Sequence, residues 1–400
     1  MMNDSLWATA RAQMLLDPTV ANLNTGSFGP LPRPVFDHVT DLRRQLAEEP
    51  MRFLLRTAPP WLWYARKRLA EFVGADPRRL VFTANVTAAI NLVASSLRLE
   101  SPGELLMTDY EYGAMVWCWE RAAHRLGLVV RTFPLPLRPR RAQDIVDAAC
   151  TAMTRRTRLF FFSHVLSPTG MILPARELCA AARTRNIPTV VDGAHAPAFI
   201  PNLRLDEIGA DFYGANCHKW LLAPTGAGFL YLGSSAGWDL LQPLQVSWGW
   251  QKDSSRGLDG EDEFGSTPHI RHLEFEGTRD PCAWLAVPTA IDFQHRIGWQ
   301  LIRARIDELV RHVRARLEDE LGLERVTPGL PHLRGPMTAL RLPPGTSAPA
   351  LRHRLWHEHQ VEAPIIERPD GLLIRVSTHF YNTEEEVDRL AVALRCLCRS

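Results

Sequence analysis

One lysine constrains this chain more than any other residue. Nearly all of the positive charge is arginine, and Lys67, Lys219 and Lys252 are the only lysines. Lys67, in Tyr-Ala-Arg-Lys-Arg-Leu, and Lys252, in Gln-Lys-Asp-Ser-Ser, have the neighbours of solvated charges. Lys219 instead lies in Asp-Phe-Tyr-Gly-Ala-Asn-Cys-His-Lys-Trp-Leu-Leu (residues 211–222), among aromatic and aliphatic side chains. Desolvation there lowers the pKa of an ammonium, and the amine it leaves is a nucleophile. Arginine cannot substitute, because guanidinium stays protonated whereas a buried amine condenses with an aldehyde. A lone lysine of this kind is more often a snorkelling residue at a strand end, so the upstream segment decides. Thr189-Val190-Val191-Asp192-Gly193-Ala194-His195 is a short apolar run of strand type that delivers Asp192 at its carboxyl end. In an open parallel sheet, ligands bind at that edge.

An aspartate facing a pyridinium nitrogen and a lysine holding an aldehyde are what a pyridoxal phosphate site requires. Two further motifs accompany Asp192–His195 and His218-Lys219-Trp220: Asn-Thr-Gly-Ser-Phe-Gly at 24–29 and Phe-Glu-Gly-Thr-Arg-Asp at 275–280. In combination they resemble the class V aminotransferase group of fold-type I pyridoxal phosphate enzymes, and within it the isopenicillin N epimerase-like subfamily. The resemblance runs from about Asn22 to Asn382. It implies an α/β fold with a mostly parallel central sheet sandwiched by helices, and a smaller α+β C-terminal domain. A large cofactor-binding domain is expected over residues 21–285, with residues 1–20 and 286–400 forming the small domain.

Composition sets the outer limits. With 46% hydrophobic and 22% charged residues the chain has material for a sizeable core, and its net charge of +2 argues against a nucleic-acid or membrane-surface role. The basic clusters at 138–141 and 155–158 lack interleaved aromatic residues and read as solvated helix ends. Seven scattered cysteines do not make a secreted disulfide framework, and Cys396 and Cys398 alone do not make a zinc site. Neither a signal-peptide pattern nor a membrane-length apolar run is present, so a cytoplasmic location is expected.

Along the chain, helices are expected at 34–47 and 61–73, a strand at 80–83 and a helix at 88–97. The intervening Asn85, Val86 and Thr87 would place free backbone N–H groups at a helix N-terminus, a phosphate site; a simple N-cap by Asn85 or Thr87 explains the same residues and is compatible with anion binding. The family motif assigns all three to the cofactor phosphate. Strands are expected at 105–108, 128–130, 159–162 and 226–232, giving one doubly wound sheet. The resemblance places a His or Tyr on the cofactor ring just after the first of these. Tyr112 is the choice, with Tyr110 its rival. By position, His164 resembles the residue that contacts the cofactor's phenolic oxygen, and His195 faces that oxygen or the ring. Asn216 and His218 occupy phosphate positions, although serine is commoner at the former. The loop carrying Ser27 and Phe28 folds over the substrate, and Arg375 is a natural bidentate partner for an α-carboxylate. Thr278 is sent into the phosphate site of a second subunit, which implies a homodimer. Arg52 and Arg56 either meet a substrate carboxylate or cap a helix, and the second reading is preferred. One long helix is expected from 284 to 321.

The reaction is less constrained. Epimerisation at the α-carbon of a peptide such as isopenicillin N fits the closest resemblance, with Lys219 as base, Asp192 as the nitrogen's partner and Tyr112 as the candidate second acid. C–S β-lysis or decarboxylative deamination of an S-cysteine conjugate would use the same cofactor residues. The loop 376–380 has no cysteine, against a desulfurase. A serine hydrolase built on Ser235 in Gly-Ser-Ser-Ala-Gly, with Asp262 and His332, would leave Lys219 and Asp192 unexplained. His353, His357 and His359 have helical spacing but no carboxylate or cysteine to complete a metal site.

Overall fold

A computed structural model describes residues 2–233, 240–250, 262 and 264–397, with backbone alone for 2–4. Ser235 and the greater part of the 245–267 segment lie outside the described residues. The strands, numbered along the chain, fall into three sheets. The largest contains β2 (Leu80–Thr83), β3 (Gly103–Thr108), β4 (Leu128–Phe133), β5 (Thr157–Ser163), β6 (Thr189–Gly193), β7 (Phe212–Asn216) and β8 (Gly228–Leu232). Its order is β2-β8-β7-β6-β5-β3-β4. The five strands β3 to β7 pair in parallel, while β8 runs antiparallel to both β7 and β2. The inner strands β6 and β7 are buried at every residue, the pattern of a sheet covered on both faces by crossover helices. That is why they read in the sequence as continuous apolar runs rather than as alternation.

The small unit is built on β9 (Met337–Arg341), β11 (Ile365–Arg368) and β12 (Gly371–Ser377), an antiparallel sheet with β12 in the middle. The helices Ala348–His359 and Glu384–Leu397 close its core. Two short strands, β1 (Ala21–Asn22) and β10 (Val361–Glu362), pair in parallel and bring the N-terminal segment onto this unit. Packing crosses both expected borders: Ala21 and Leu23 belong to the small unit's core, whereas Val287, Ala290 and Ile291 belong to the large one's.

The single helix expected over 284–321 is broken. Val287–Ile297 and Trp299–Arg314 are separate helices divided at Gly298, whose φ of 102° no α-helix accommodates. Periodicity alone runs through such a residue and hides the break. At the other end of the chain, the loop 24–29 lies against the backbone of the lysine motif. The Gly29 N–H donates to the His218 carbonyl at 3.0 Å, and a Cβ on Gly29 would stand 2.1 Å from the Lys219 carbonyl oxygen. Only glycine permits that approach. Among the described residues no helix is long and apolar enough to cross a membrane.

Candidate active site

The carboxyl ends of β3, β5, β6 and β7, the N-terminus of the helix Val86–Ser96, the 24–29 loop and β12 meet around one cleft of about 440 Å³. From residues scattered over the sequence, the fold brings Ser27, Phe28, Asn85, Val86, Thr87, Tyr112, Asp192, His195, Asn216, His218, Lys219 and Arg375 to its walls.

Lys219 follows β7 and is half-buried. Burial, reinforced by the charge of Arg375 and opposed by Asp192, lowers its pKa to about 8. The hydrogen bonds point the same way. Trp220 Nε1–H donates to His195 Nδ1 at 3.2 Å, and burial holds the imidazole well below its ordinary 6.5. The single proton of the neutral ring therefore sits on Nε2, which lies 3.3 Å from Lys219 Nζ. A ring N–H aimed there needs an acceptor; an ammonium has no lone pair, and a free amine has one.

Asp192, at the end of β6, is 4% exposed, and its Oδ1 accepts the Ala194 N–H at 2.8 Å. Burial raises its pKa, and a cationic group of a ligand beside it would oppose that shift. Arg375, on β12, is the converse case at 3% exposed. Its Nη1 donates to the Ser167 carbonyl and Oγ at 2.8 and 3.1 Å. Its Nη2 donates to Asn24 Oδ1 and Ser27 Oγ, both at 3.1 Å. All four acceptors are neutral, Nε has no partner, and burial lowers the guanidinium to about 10. A buried cation without a counter-charge is a site for an anionic group of a ligand.

At the opposite end of the cleft the helix Val86–Ser96 starts closer to the strand than its periodicity suggests. The Asn85 side chain caps it by accepting the Ala88 N–H at 2.9 Å, and Asn216 Oδ1 accepts the Val86 N–H at 2.8 Å. The Asn85 side-chain oxygen and the Val86 N–H are thus engaged within the protein, and a cap by Asn85 does not exclude an anion at the same helix end. The Thr87 N–H and hydroxyl remain at the positive end of the helix. His218 stands nearby with Nδ1 buried and unpartnered, its pKa lowered to about 4 by burial. An anion beside it would raise that value and give the ring a proton to donate. These orphaned groups, with the amine and the buried carboxylate, fit pyridoxal phosphate.

Two expected residues lie elsewhere. His164 is not among the residues lining the cleft, although Ser163 and Val165 on either side are, and its Nδ1 pairs with Tyr213 Oη at 2.8 Å. A position just past a strand end does not say which way a side chain turns. Thr278 lines a separate apolar cavity of about 270 Å³ with Met51, Leu55 and Trp284. Tyr110, the rival to Tyr112, is buried with its hydroxyl on Asp370 at 3.0 Å and Arg368 over its ring, while Tyr112 is 51% exposed in the cleft. Phe28 is 68% exposed, its ring nearly parallel to that of His218. Sequence reasoning missed Ser167, Ser163 and Glu111; no local pattern marks them, since their roles come from contacts across strands. Asp262, nominated for a hydrolase, pairs with Arg271 at 3.0 Å. Among the described residues no group of three or more His, Cys, Asp or Glu is placed to hold a metal.

The sequence matches the class-V aminotransferase family over residues 34–342. It is 56% identical over 396 residues to an isopenicillin N epimerase of Amycolatopsis lactamdurans, covering 98% of this chain and 99% of the relative. It is 57% identical over 392 residues to an isopenicillin N epimerase of Streptomyces clavuligerus, covering 98% of each. A cystine C-S lyase solved with its product cysteine persulfide superposes with a TM-score of 0.80 over 94% of this chain and 97% of that one. At 23% identity it speaks for the fold alone.

Proposed function

Because the chain belongs to the class-V aminotransferase family, we propose that it is a pyridoxal phosphate-dependent epimerase that inverts an amino-acid α-carbon of a peptide of the isopenicillin N type, in antibiotic biosynthesis. The observation that carries the reading is the pairing, in one cleft, of a lysine placed to accept a hydrogen bond with a buried carboxylate and a buried guanidinium, neither held in an ion pair among the described residues. The 56% and 57% identity to the two epimerases favours inversion over the lyase alternative.

When bound, pyridoxal phosphate supplies an aldehyde for amines and a protonated ring that accepts electrons from a bond broken at the α-carbon. Asp192 holds the proton on the ring nitrogen. Thr87, His218 and the amide of Asn216 would hold the phosphate, and His195 keeps Lys219 Nζ oriented. Arg375 takes the substrate α-carboxylate, exchanging neutral acceptors for an anion, while Ser27 fixes the guanidinium and Phe28 borders the remainder of the substrate. Lys219 Nζ removes the α-proton. Tyr112 would pack on the cofactor and return a proton to the α-carbon; its loop follows β3 and Lys219 follows β7, so the two approach the cleft from strands separated by β5 and β6. The apolar cavity around Thr278 is the surface for a second copy of the chain, whose Thr278 completes the phosphate site in a homodimer.

Incubation with isopenicillin N in deuterated water tests this. Solvent deuterium at the side-chain α-carbon with inversion is expected; pyruvate and ammonia from an S-substituted cysteine, without inversion of isopenicillin N, would reject it. Because only the free amine captures the cofactor, its rate of uptake by the apoprotein should rise with pH to a plateau with a midpoint near 8. A midpoint at the ordinary 10.5 would show that Lys219 is not desolvated.

A further inference from the structure

Glu111 is a buried carboxyl with no part in the chemistry above. It lies in the loop after β3, directly before Tyr112, and is 5% exposed. Its Oε1 accepts from the Thr108 hydroxyl at 2.7 Å, and its Oε2 from the Ser163 hydroxyl at 2.5 Å. The Ser163 N–H points between the two oxygens, at 3.2 and 3.1 Å. Every one of these partners is neutral. Ser163 ends β5, stands in register with Asp192 on β6, and lines the cleft; the next N–H, that of His164, donates to the Asp192 carbonyl at 2.8 Å. The carboxyl therefore joins the loop that presents Tyr112 to the strand end beside Asp192.

We propose that Glu111 is a positioning residue of the reaction, one carboxyl group setting the aromatic ring that covers the cofactor and the acid at its nitrogen relative to each other. The proposal rests on the pyridoxal phosphate reading. A surface loop needs no such tie, and a purely structural anchor would gain more from an arginine or lysine partner. What the site has instead is a carboxyl among hydroxyls, whose titratable neighbours are Asp192 on β6, His164 beyond β5, and Tyr110 and Tyr112 on its own loop. His164 is kept neutral by burial, its pKa near 3, and Asp192 is a like charge. Burial and that charge raise Glu111 to about 7, so the tie carries a proton in the acid range and can be replaced by an amide, which also donates to one hydroxyl and accepts from another.

Two variants test this, with kcat measured per mole of borohydride-reducible cofactor so that lost sites are not counted. Glu111→Ala should lower kcat for isopenicillin N by about 10- to 100-fold, the effect of small misplacement, with KM little changed and the cofactor's visible circular dichroism altered. Glu111→Gln should restore most of kcat. The apoprotein gives an independent readout. A carboxyl whose folded pKa is raised from 4.5 to about 7 loses stability as pH rises between those values. The Tm of Glu111→Gln relative to wild type should therefore climb from about pH 4.5 to 7 and be flat above. Wild-type kcat per site in Glu111→Ala, or a Gln variant as impaired as the Ala variant, would overturn the proposal, as would a Tm difference independent of pH. If wild type held no reducible cofactor, the underlying reading would fail separately, while the apoprotein comparison would still report on the tie.

Discussion

Lys219→Ala is expected to lower turnover by about 10⁴-fold or more. General-base catalysis by a positioned group contributes about 10²- to 10⁴-fold on its own, and the variant also loses the covalent hold on the aldehyde. The colour of a bound cofactor and its bleaching by borohydride should go with it. The fold should not: the side chain's hydrogen bond is to His195 Nε2 at 3.3 Å, and the close approach of Gly29 is to the backbone carbonyl, which alanine keeps. Lys219→Arg should be no better than alanine, since guanidinium supplies charge without a nucleophilic lone pair. Wild-type bleaching in either variant would refute the assignment.

Arg375→Ala should act chiefly on substrate binding. Removing one partner of a buried, hydrogen-bonded charge pair costs about 2–5 kcal/mol, or roughly 30- to 5,000-fold, so kcat/KM for isopenicillin N should fall within that range. The loss should shrink sharply for an analogue whose α-carboxylate is replaced by an amide, because wild type then gains nothing from the guanidinium. A second consequence follows from electrostatics: Arg375 helps to depress Lys219, so the midpoint for cofactor capture by the apoprotein should move upward from about 8 in the variant. Equal losses for acid and amide would remove Arg375 from the carboxylate site.

The parts of this architecture that were legible in the sequence are those fixed by local chemistry. Apolar runs such as Thr189–Gly193 suit a doubly covered sheet, and it is the aspartate at the end of that run that lifts Lys219 above the reading of a snorkelling residue. What stayed hidden depends on groups far apart in the chain. Nothing local in Asn85-Val86-Thr87 shows that Asn216, on another strand, accepts the Val86 N–H while Asn85 Oδ1 caps its own helix. The pairing of His164 Nδ1 with Tyr213, on another strand, is equally invisible locally. Glu111 carries no local signal, since what distinguishes it is the company of Ser163 some fifty positions away. Gly298 ends a helix by its positive φ, a state the residue type permits and the surrounding periodicity does not announce.

The most direct test is to reduce the coloured protein with borohydride, digest it and locate the modified lysine by mass spectrometry. With only three lysines in the chain the outcome is unambiguous. The account predicts the cofactor's mass on the peptide containing Lys219 and on no other. Attachment at Lys67 or Lys252, or no attachment to a protein that epimerises its substrate, would contradict it.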